Sequence, residues 1–223
     1  MKAIASLSLA LAVFAQTCIV TFAIHYDGLV LTSIDVKPAG STDNPNRVTF
    51  SESIQGSASD TTATFLKNVK QINEKDEDGK PLFEGETISV REAKKIINEA
   101  SSDGGKGKPL FCIHGFNVTP GSHLKECQEQ CKNKFNKGKF TLVPVIWPSK
   151  GGITNYGGDQ GTSPGAGRAF KTLKRGIDSF PGKSLLSHSM GNYVLRHAAD
   201  GKFKFDNIFM AAAVREKLYI QVS

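Results

Sequence analysis

The stretch Ser184-Leu-Leu-Ser-His-Ser-Met-Gly-Asn-Tyr-Val-Leu-Arg-His-Ala-Ala199 carries the most informative pattern in this chain. Its first residues predict a short buried strand, and residues 190–199 have apolar spacing typical of a helix. Between them, small-x-Ser-x-Gly spacing predicts a tight strand-to-helix turn that places a serine hydroxyl above the edge of a sheet. Ser187 and Gly191 are small enough to let strand and helix approach each other. Ser189 is therefore the candidate nucleophile.

The segments around this turn alternate between predicted strands and helices. Residues 110–113, 140–147 and 205–212 read as strands, and residues 121–136 and 168–180 read as helices. Strands separated by helices imply βαβ units, so we expect an α/β fold with a mostly parallel sheet flanked by helices. Pro144 lacks an N–H and predicts a bulge or irregular pairing in the second strand. The Gly-rich residues 150–167 are expected to form a long loop, a candidate lid or substrate rim.

The amino end has the plan of a targeting segment, and three segments are predicted along the chain. Lys2 is followed by a nearly continuous apolar run, as in a secretory signal peptide over residues 1–23. An uncleaved anchor over residues 2–24 is the alternative, and it would be the protein's sole contact with a membrane. Either way we expect a secreted or lumenal protein. Residues 24–108 form a segment of uncertain structure, and residues 109–223 form the α/β core.

The charge balance gives little support for a nucleic-acid partner. The 223 residues include 28 Lys plus Arg against 21 Asp plus Glu, a formal net charge of +7. Only six of the basic residues are Arg, the side chain best suited to bidentate phosphate contacts. We therefore expect no nucleic-acid partner, and nothing in the sequence predicts an oligomeric state.

The cysteines leave their pairing open. Removing the signal peptide would remove Cys18 and leave Cys112, Cys127 and Cys131, an odd number for an oxidising compartment. Cys127 and Cys131 are four residues apart on a predicted helix, where a mutual bridge is unusual. Cys112 lies in an apolar run and is expected to be a buried thiol. No C-x-x-C pair is present, so no metal site is predicted.

A second candidate site element, His114-Gly115-Phe116, follows the first core strand. In an α/β fold with a nucleophile elbow, this turn supplies one amide of an oxyanion hole, and the residue after the nucleophile supplies the other. Here the two amides would belong to Phe116 and Met190. His114, Gly115, Ser187 and Gly191 would support the turn and the elbow.

Several segments together resemble one family. The stretches 110–117, 147–149 and 186–192, with Tyr156 and Asp159, look like lipase/esterase-like α/β-hydrolases, and more narrowly like uncharacterised serine hydrolases with HGFN, WPS and AHSMGN segments. The resemblance covers about residues 108–213. It implies a Ser–Asp–His triad, a small-molecule or lipid ester or related acyl substrate, and no metal or cofactor. Ser189 would be the nucleophile.

The expected acid and base of such a triad are not visible. The strand that should lead to the acid runs Met210-Ala-Ala-Ala-Val214, and the chain stops at Ser223 before a further histidine. His197 lies eight residues along the elbow helix, about 12 Å from Ser189, and His188 is expected to point elsewhere on the turn.

Three interpretations therefore stay open: a hydrolase whose C-terminal strands are missing, a non-catalytic binding protein, and an unusual dyad with a base from the amino-terminal segment. If the chain is complete, we expect negligible turnover.

Overall fold

A single mixed sheet organises the part of the chain that the structure describes. The computed structural model describes residues 24–40, 43–52, 62–100, 108–130, 140–149, 152–199 and 202–212; the predicted signal peptide lies outside them. Within these ranges the strands are β1 (His25–Tyr26), β2 (Val30–Thr32), β3 (Lys37–Pro38), β4 (Arg47–Ser51), β5 (Thr64–Lys75), β6 (Pro81–Ile88), β7 (Pro109–Ile113), β8 (Thr141–Ile146), β9 (Ser184–His188) and β10 (Asn207–Ala211). The helices are α1 (Val90–Glu99), α2 (Pro120–Gln130), α3 (Tyr156–Thr172), α4 (Lys174–Asp178) and α5 (Gly191–Ala199).

The core of the sheet is parallel. The strand order runs β10-β9-β7-β8-β2-β5-β6-β4-β3, with β1 paired to β5. The five strands from β10 to β2 are mutually parallel, and the pairs beyond β2 are antiparallel. The predicted α/β class with a mostly parallel core is therefore confirmed.

The amino-terminal segment takes part in the same sheet. β2 pairs with β8 in parallel, and the carboxylate of Glu52 accepts a hydrogen bond from the amide of Gly121 at 2.9 Å. Glu52 also accepts from the hydroxyl of Thr119, so this one side chain caps the first turn of α2. The division of the chain at residue 109 stays a prediction, and strands from both sides of it pair in one sheet.

Apolar side chains cover both faces of the parallel strands, as expected for strands between two layers. One face, which packs on α1, α3, α4 and α5, includes Phe111, Val145 and Leu185. The opposite face, which packs on α2, includes Leu110, Cys112 and Leu142. All five residues of β7 are buried, so this strand sits at the centre of both clusters.

The loop predicted over residues 150–167 is wrong from Tyr156 onward, where α3 begins. Tertiary packing overrides the low helix propensity of glycine here. A Cβ on Gly167 would lie 2.6 Å from the Cβ of His197 and 2.7 Å from the carbonyl oxygen of Val194, so α3 and α5 cross in near-contact. Pro164 cannot donate to Gln160, four residues earlier, and the hydroxyl of Ser163 donates to that carbonyl instead at 2.9 Å. Residues 156–167 therefore form a packed helix in place of the predicted loop.

Pro144 lies within a regular strand. The register between β7 and β8 runs without a shift from Pro109–Thr141 to Ile113–Val145, so the predicted irregularity is absent on that side. The ladder with β2 begins only at Val145. Pro144 precedes this ladder, so its missing N–H does not interrupt the pairing between β8 and β2.

None of the helices in the described ranges is long and apolar enough to span a bilayer.

Candidate active site

The predicted strand–turn–helix context of Ser189 is confirmed. β9 ends at His188, α5 begins at Gly191, and two residues turn between them. Ser189 has a φ of +48°, in the left-handed region that residues with a side chain rarely adopt. Its amide donates to the carbonyl oxygen of Ala211 at 2.9 Å, and its own carbonyl accepts from the side-chain amide of Asn192 at 2.9 Å. The strained turn is thus held from both sides, and Ser189 is half-buried at its tip.

Glycines bring the turn after β7 against the elbow. A Cβ on Gly115 would lie 3.0 Å from the Cβ of Ser189 and 2.9 Å from Nδ1 of His188. A Cβ on Gly191 would lie 2.6 Å from the carbonyl oxygen of His114 and 3.0 Å from that of Ile113. These separations are shorter than ordinary van der Waals contacts, so the two turns are as close as they are only because both positions lack a side chain.

The amides expected to form an oxyanion hole are not used by the fold. Within the described ranges, no hydrogen bond engages the N–H of Phe116 or of Met190. The Met190 side chain is buried in the core beneath α5, which leaves its backbone at the turn. The N-terminus of α5 adds a partial positive charge at the same place.

His114 is a buried, neutral support of the turn. Its Nδ1 donates to the carbonyl oxygen of Gly115 at 2.9 Å, and its Nε2 accepts from the amide of Trp147 at 3.4 Å. Its ring stacks on that of Trp147 with centroids 5.1 Å apart, and the indole N–H donates to the His114 carbonyl at 2.9 Å. Burial, together with the nearby ring of His123, holds the pKa of His114 well below its ordinary value. Because both ring nitrogens are engaged, His114 cannot serve Ser189 as a general base.

The turn after β8 joins α3 to the oxyanion turn. The hydroxyl of Ser149 donates to a carboxylate oxygen of Asp159 at 2.7 Å, and both residues are fully buried. This contact fixes the first turn of α3, where the ring of Tyr156 meets the edge of Phe116 with centroids 5.2 Å apart. The motif residues Ser149, Tyr156 and Asp159 therefore lie around the site. Sequence reasoning assigned them no individual role, and their co-occurrence with the elbow was the only signal.

The comparisons with known proteins identify the family. A family model described as "Alpha/beta hydrolase of unknown function (DUF900)" matches residues 89–213. The chain belongs to this family. The α/β-hydrolase part of the resemblance read from residues 108–213 is thereby confirmed, and the family description names no substrate. No curated protein and no solved structure gave a match.

Three further histidines of this α/β-hydrolase lie at different places in the fold relative to Ser189. His197 is half-buried with its Cβ at the α3–α5 crossing, beside Gly167, so it lies away from the elbow as expected. His123 is buried on the α2 side and its Nε2 bonds the carbonyl oxygen of Cys112 at 2.9 Å. His188 is exposed and its ring lies against Gly115, so the expectation that it points away from the site is wrong.

Within the described ranges, no hydrogen bond joins the hydroxyl of Ser189 to a histidine or a carboxylate. Asp159 is bonded to Ser149, and the five-residue strand β10 ends at Ala211 without supplying a carboxylate. No group of three His, Cys, Asp or Glu side chains able to hold a metal ion occurs in the described part of the chain. The predicted absence of a convincing general base stays a prediction.

Proposed function

We propose that this α/β-hydrolase is a serine hydrolase that cleaves an ester or related acyl substrate through an acyl-enzyme on Ser189. The observation that carries the proposal is the positive φ of Ser189 in a turn between β9 and α5. The strained backbone of this half-buried serine has a cost in stability, and strain of this kind is concentrated at functional sites.

In the proposed reaction, the Oγ of Ser189 adds to the substrate carbonyl carbon, and the carbonyl oxygen becomes an oxyanion. The free amides of Phe116 and Met190 support this step as donors to that oxygen, assisted by the N-terminus of α5. The C–O bond to the leaving group then breaks, and the alcohol departs with the proton that the Ser189 hydroxyl gave up. Water then cleaves the acyl-enzyme, releases the carboxylic acid and restores the Ser189 hydroxyl.

An acyl or aromatic group is the favoured substrate portion at this site. Phe116 and Tyr156 form an edge-to-face pair beside the oxyanion turn, and Tyr156 is 45% exposed. An exposed tyrosine can pack its apolar ring against a ligand and form a hydrogen bond through its hydroxyl. This supports a small-molecule or lipid ester over a charged substrate.

A non-catalytic binding protein on the same fold is the second candidate. It is favoured by the engagement of both ring nitrogens of His114 within the fold and by the place of His197 at the α3–α5 crossing. In that case the same aromatic pair and free amides would hold a carbonyl ligand without turning it over.

Hydrolysis of p-nitrophenyl esters of increasing acyl length, with the wild-type chain, Ser189→Ala and Ser179→Ala, tests the proposal. Ser179 is an exposed residue at the end of α4 and serves as the matched control. We expect ester turnover in the wild type and in Ser179→Ala, and background rates in Ser189→Ala. Turnover that survives in Ser189→Ala would refute the nucleophile. Absence of turnover in the wild type, with thermal stabilisation by a non-hydrolysable ester analogue, would favour the binding protein.

A further inference from the structure

Two cysteines from separate elements meet on the α2 face of the sheet. Alternation along β7 places Cys112 on the same face as Leu110, and both belong to the cluster that packs on α2. Cys127 of α2 belongs to the same cluster, one helical turn from His123. Cys112 is 7% exposed and Cys127 is 4% exposed, so both thiols are shielded from solvent.

His123 joins the two elements at this point. One of its ring nitrogens, Nε2, donates to the carbonyl oxygen of Cys112 at 2.9 Å. The Sγ of Cys127 lies at the same ring, 3.8 Å from Nε2 and 3.9 Å from Nδ1. The backbone of Cys112 and the sulfur of Cys127 are therefore held by one side chain, and the position of α2 against β7 is fixed.

Both cysteines are free thiols in this structure, and the Sγ of Cys112 lies 3.6 Å from the carbonyl oxygen of Leu110. Hydrogen bonding with the Cys112 thiol, followed by burial, raises the pKa of Cys127 far above its ordinary value. A protonated, buried thiol reacts slowly, because the thiolate is the nucleophile in disulfide exchange. We therefore expect any oxidation of this pair to take place during folding, before α2 covers β7.

We propose that Cys112 and Cys127 form a disulfide that joins β7 to α2. The oxidant is a small-molecule or protein disulfide: one cysteine thiolate attacks it and releases one thiol, and the second cysteine then displaces the other half from the mixed disulfide. The two cysteine protons and the two electrons end on the two thiols released. The new S–S bond closes the loop 112–127, which contains the turn His114-Gly115-Phe116 beside Ser189.

This pairing competes with the bridge between Cys127 and Cys131 that the sequence leaves open. Cys131 lies outside the described residues, so the two pairings must be separated by experiment. Trypsin offers the distinction, because Cys112 falls in the peptide 107–125 and the other two fall in the peptide 126–132. A Cys112–Cys127 bond links these two peptides, whereas a Cys127–Cys131 bond stays within one of them.

The test is oxidative refolding of the full chain carrying Cys18→Ser and Cys131→Ser in a mixture of reduced and oxidised glutathione. After alkylation of free thiols and digestion, we expect the linked pair 107–125 and 126–132, with no alkylated cysteine. We also expect the melting temperature to fall by roughly 6–12 °C on reduction, from the loop-closure entropy of a loop of about 15 residues. The matched control, Cys18→Ser with Cys127→Ser, keeps Cys112 and Cys131 and should stay reduced.

Alkylation of both thiols after refolding would overturn the proposal, as would equally complete linkage in the control. Should the double variant fail to refold, the wild-type chain answers the same question. Backbone fragmentation of the linked peptide between Cys127 and Cys131 then shows which sulfur is joined to Cys112. Attachment through Cys131, or a bond confined to residues 126–132, would overturn the proposal.

Discussion

Gly191→Ala is the substitution whose effect follows most directly from the close approach of the two turns. The added Cβ would meet the carbonyl oxygens of His114 and Ile113 at 2.6 and 3.0 Å and a methyl of Ile113 at 2.9 Å. Weak C–H···O contacts normally lie at about 3.3–3.6 Å, so both carbonyl contacts are too short. Because the atoms belong to backbone and to a buried side chain, the clash is relieved only by moving the end of β7 or the start of α5.

The magnitude can be bounded from two opposing effects. Forcing a methyl into a packed site costs about 1–3 kcal/mol. Alanine gains at most about 1 kcal/mol over glycine in a helix, and less at the first helical residue. We therefore expect a net destabilisation of about 2 kcal/mol, which lowers the melting temperature by roughly 4–8 °C in a chain of this size.

The matched control is Gly161→Ala in α3, where no atom lies within 4 Å of the added Cβ. There the helix propensity acts alone, and we expect a gain of about 0.5–1 kcal/mol. Urea and thermal unfolding followed by circular dichroism measure both variants against the wild type. A Gly191→Ala variant as stable as the Gly161→Ala variant would refute the close approach on which the site geometry depends.

Two further predictions concern buried polar groups near the site. Ser149→Ala removes the hydroxyl that donates to the buried carboxylate of Asp159. We expect the free energy of unfolding, measured by urea denaturation, to fall by about 1–3 kcal/mol. An unchanged urea midpoint would contradict this prediction. His114 has a lowered pKa in the folded state, so below its ordinary pKa the unfolded chain binds a proton that the folded chain does not. Stability should therefore fall as the pH drops below about 6.5, by at most about 1.4 kcal/mol per pH unit from this one group. His114→Gln should reduce that slope, measured as urea midpoints at several pH values; an identical slope in both proteins would contradict the assignment.

The features that sequence reasoning recovered depend on local order along the chain. The strand of β9, the turn at Ser189 and the helix α5 follow one another within sixteen residues, and each has its own pattern. The helix α1 has a comparable local signal, because Ser89 accepts a hydrogen bond from the amide of Glu92 and the two residues have the spacing of a capping box.

The features that it missed depend on contacts between distant segments. The Gly-rich residues of α3 are helical because α5 packs on Gly167. The sequence of α3 alone does not indicate that contact. The ring of His188 lies against Gly115 because β7 and β9 are adjacent in the sheet, a pairing between residues more than 70 positions apart. Likewise, the antiparallel strands of the amino-terminal segment are specified by cross-strand pairs rather than by a strong local pattern.

The central claim is that Ser189 is a reactive nucleophile, and covalent labelling tests it most directly. The folded chain and the Ser189→Ala variant are treated with a fluorophosphonate, and the tryptic peptide 184–196 is examined by mass spectrometry. We expect a phosphonate on the Oγ of Ser189 in the folded wild type, and no phosphonate at this position when the protein is denatured beforehand or when Ser189 is replaced by alanine. An unlabelled peptide 184–196 in the folded wild type, or equal labelling of the variant, would contradict it.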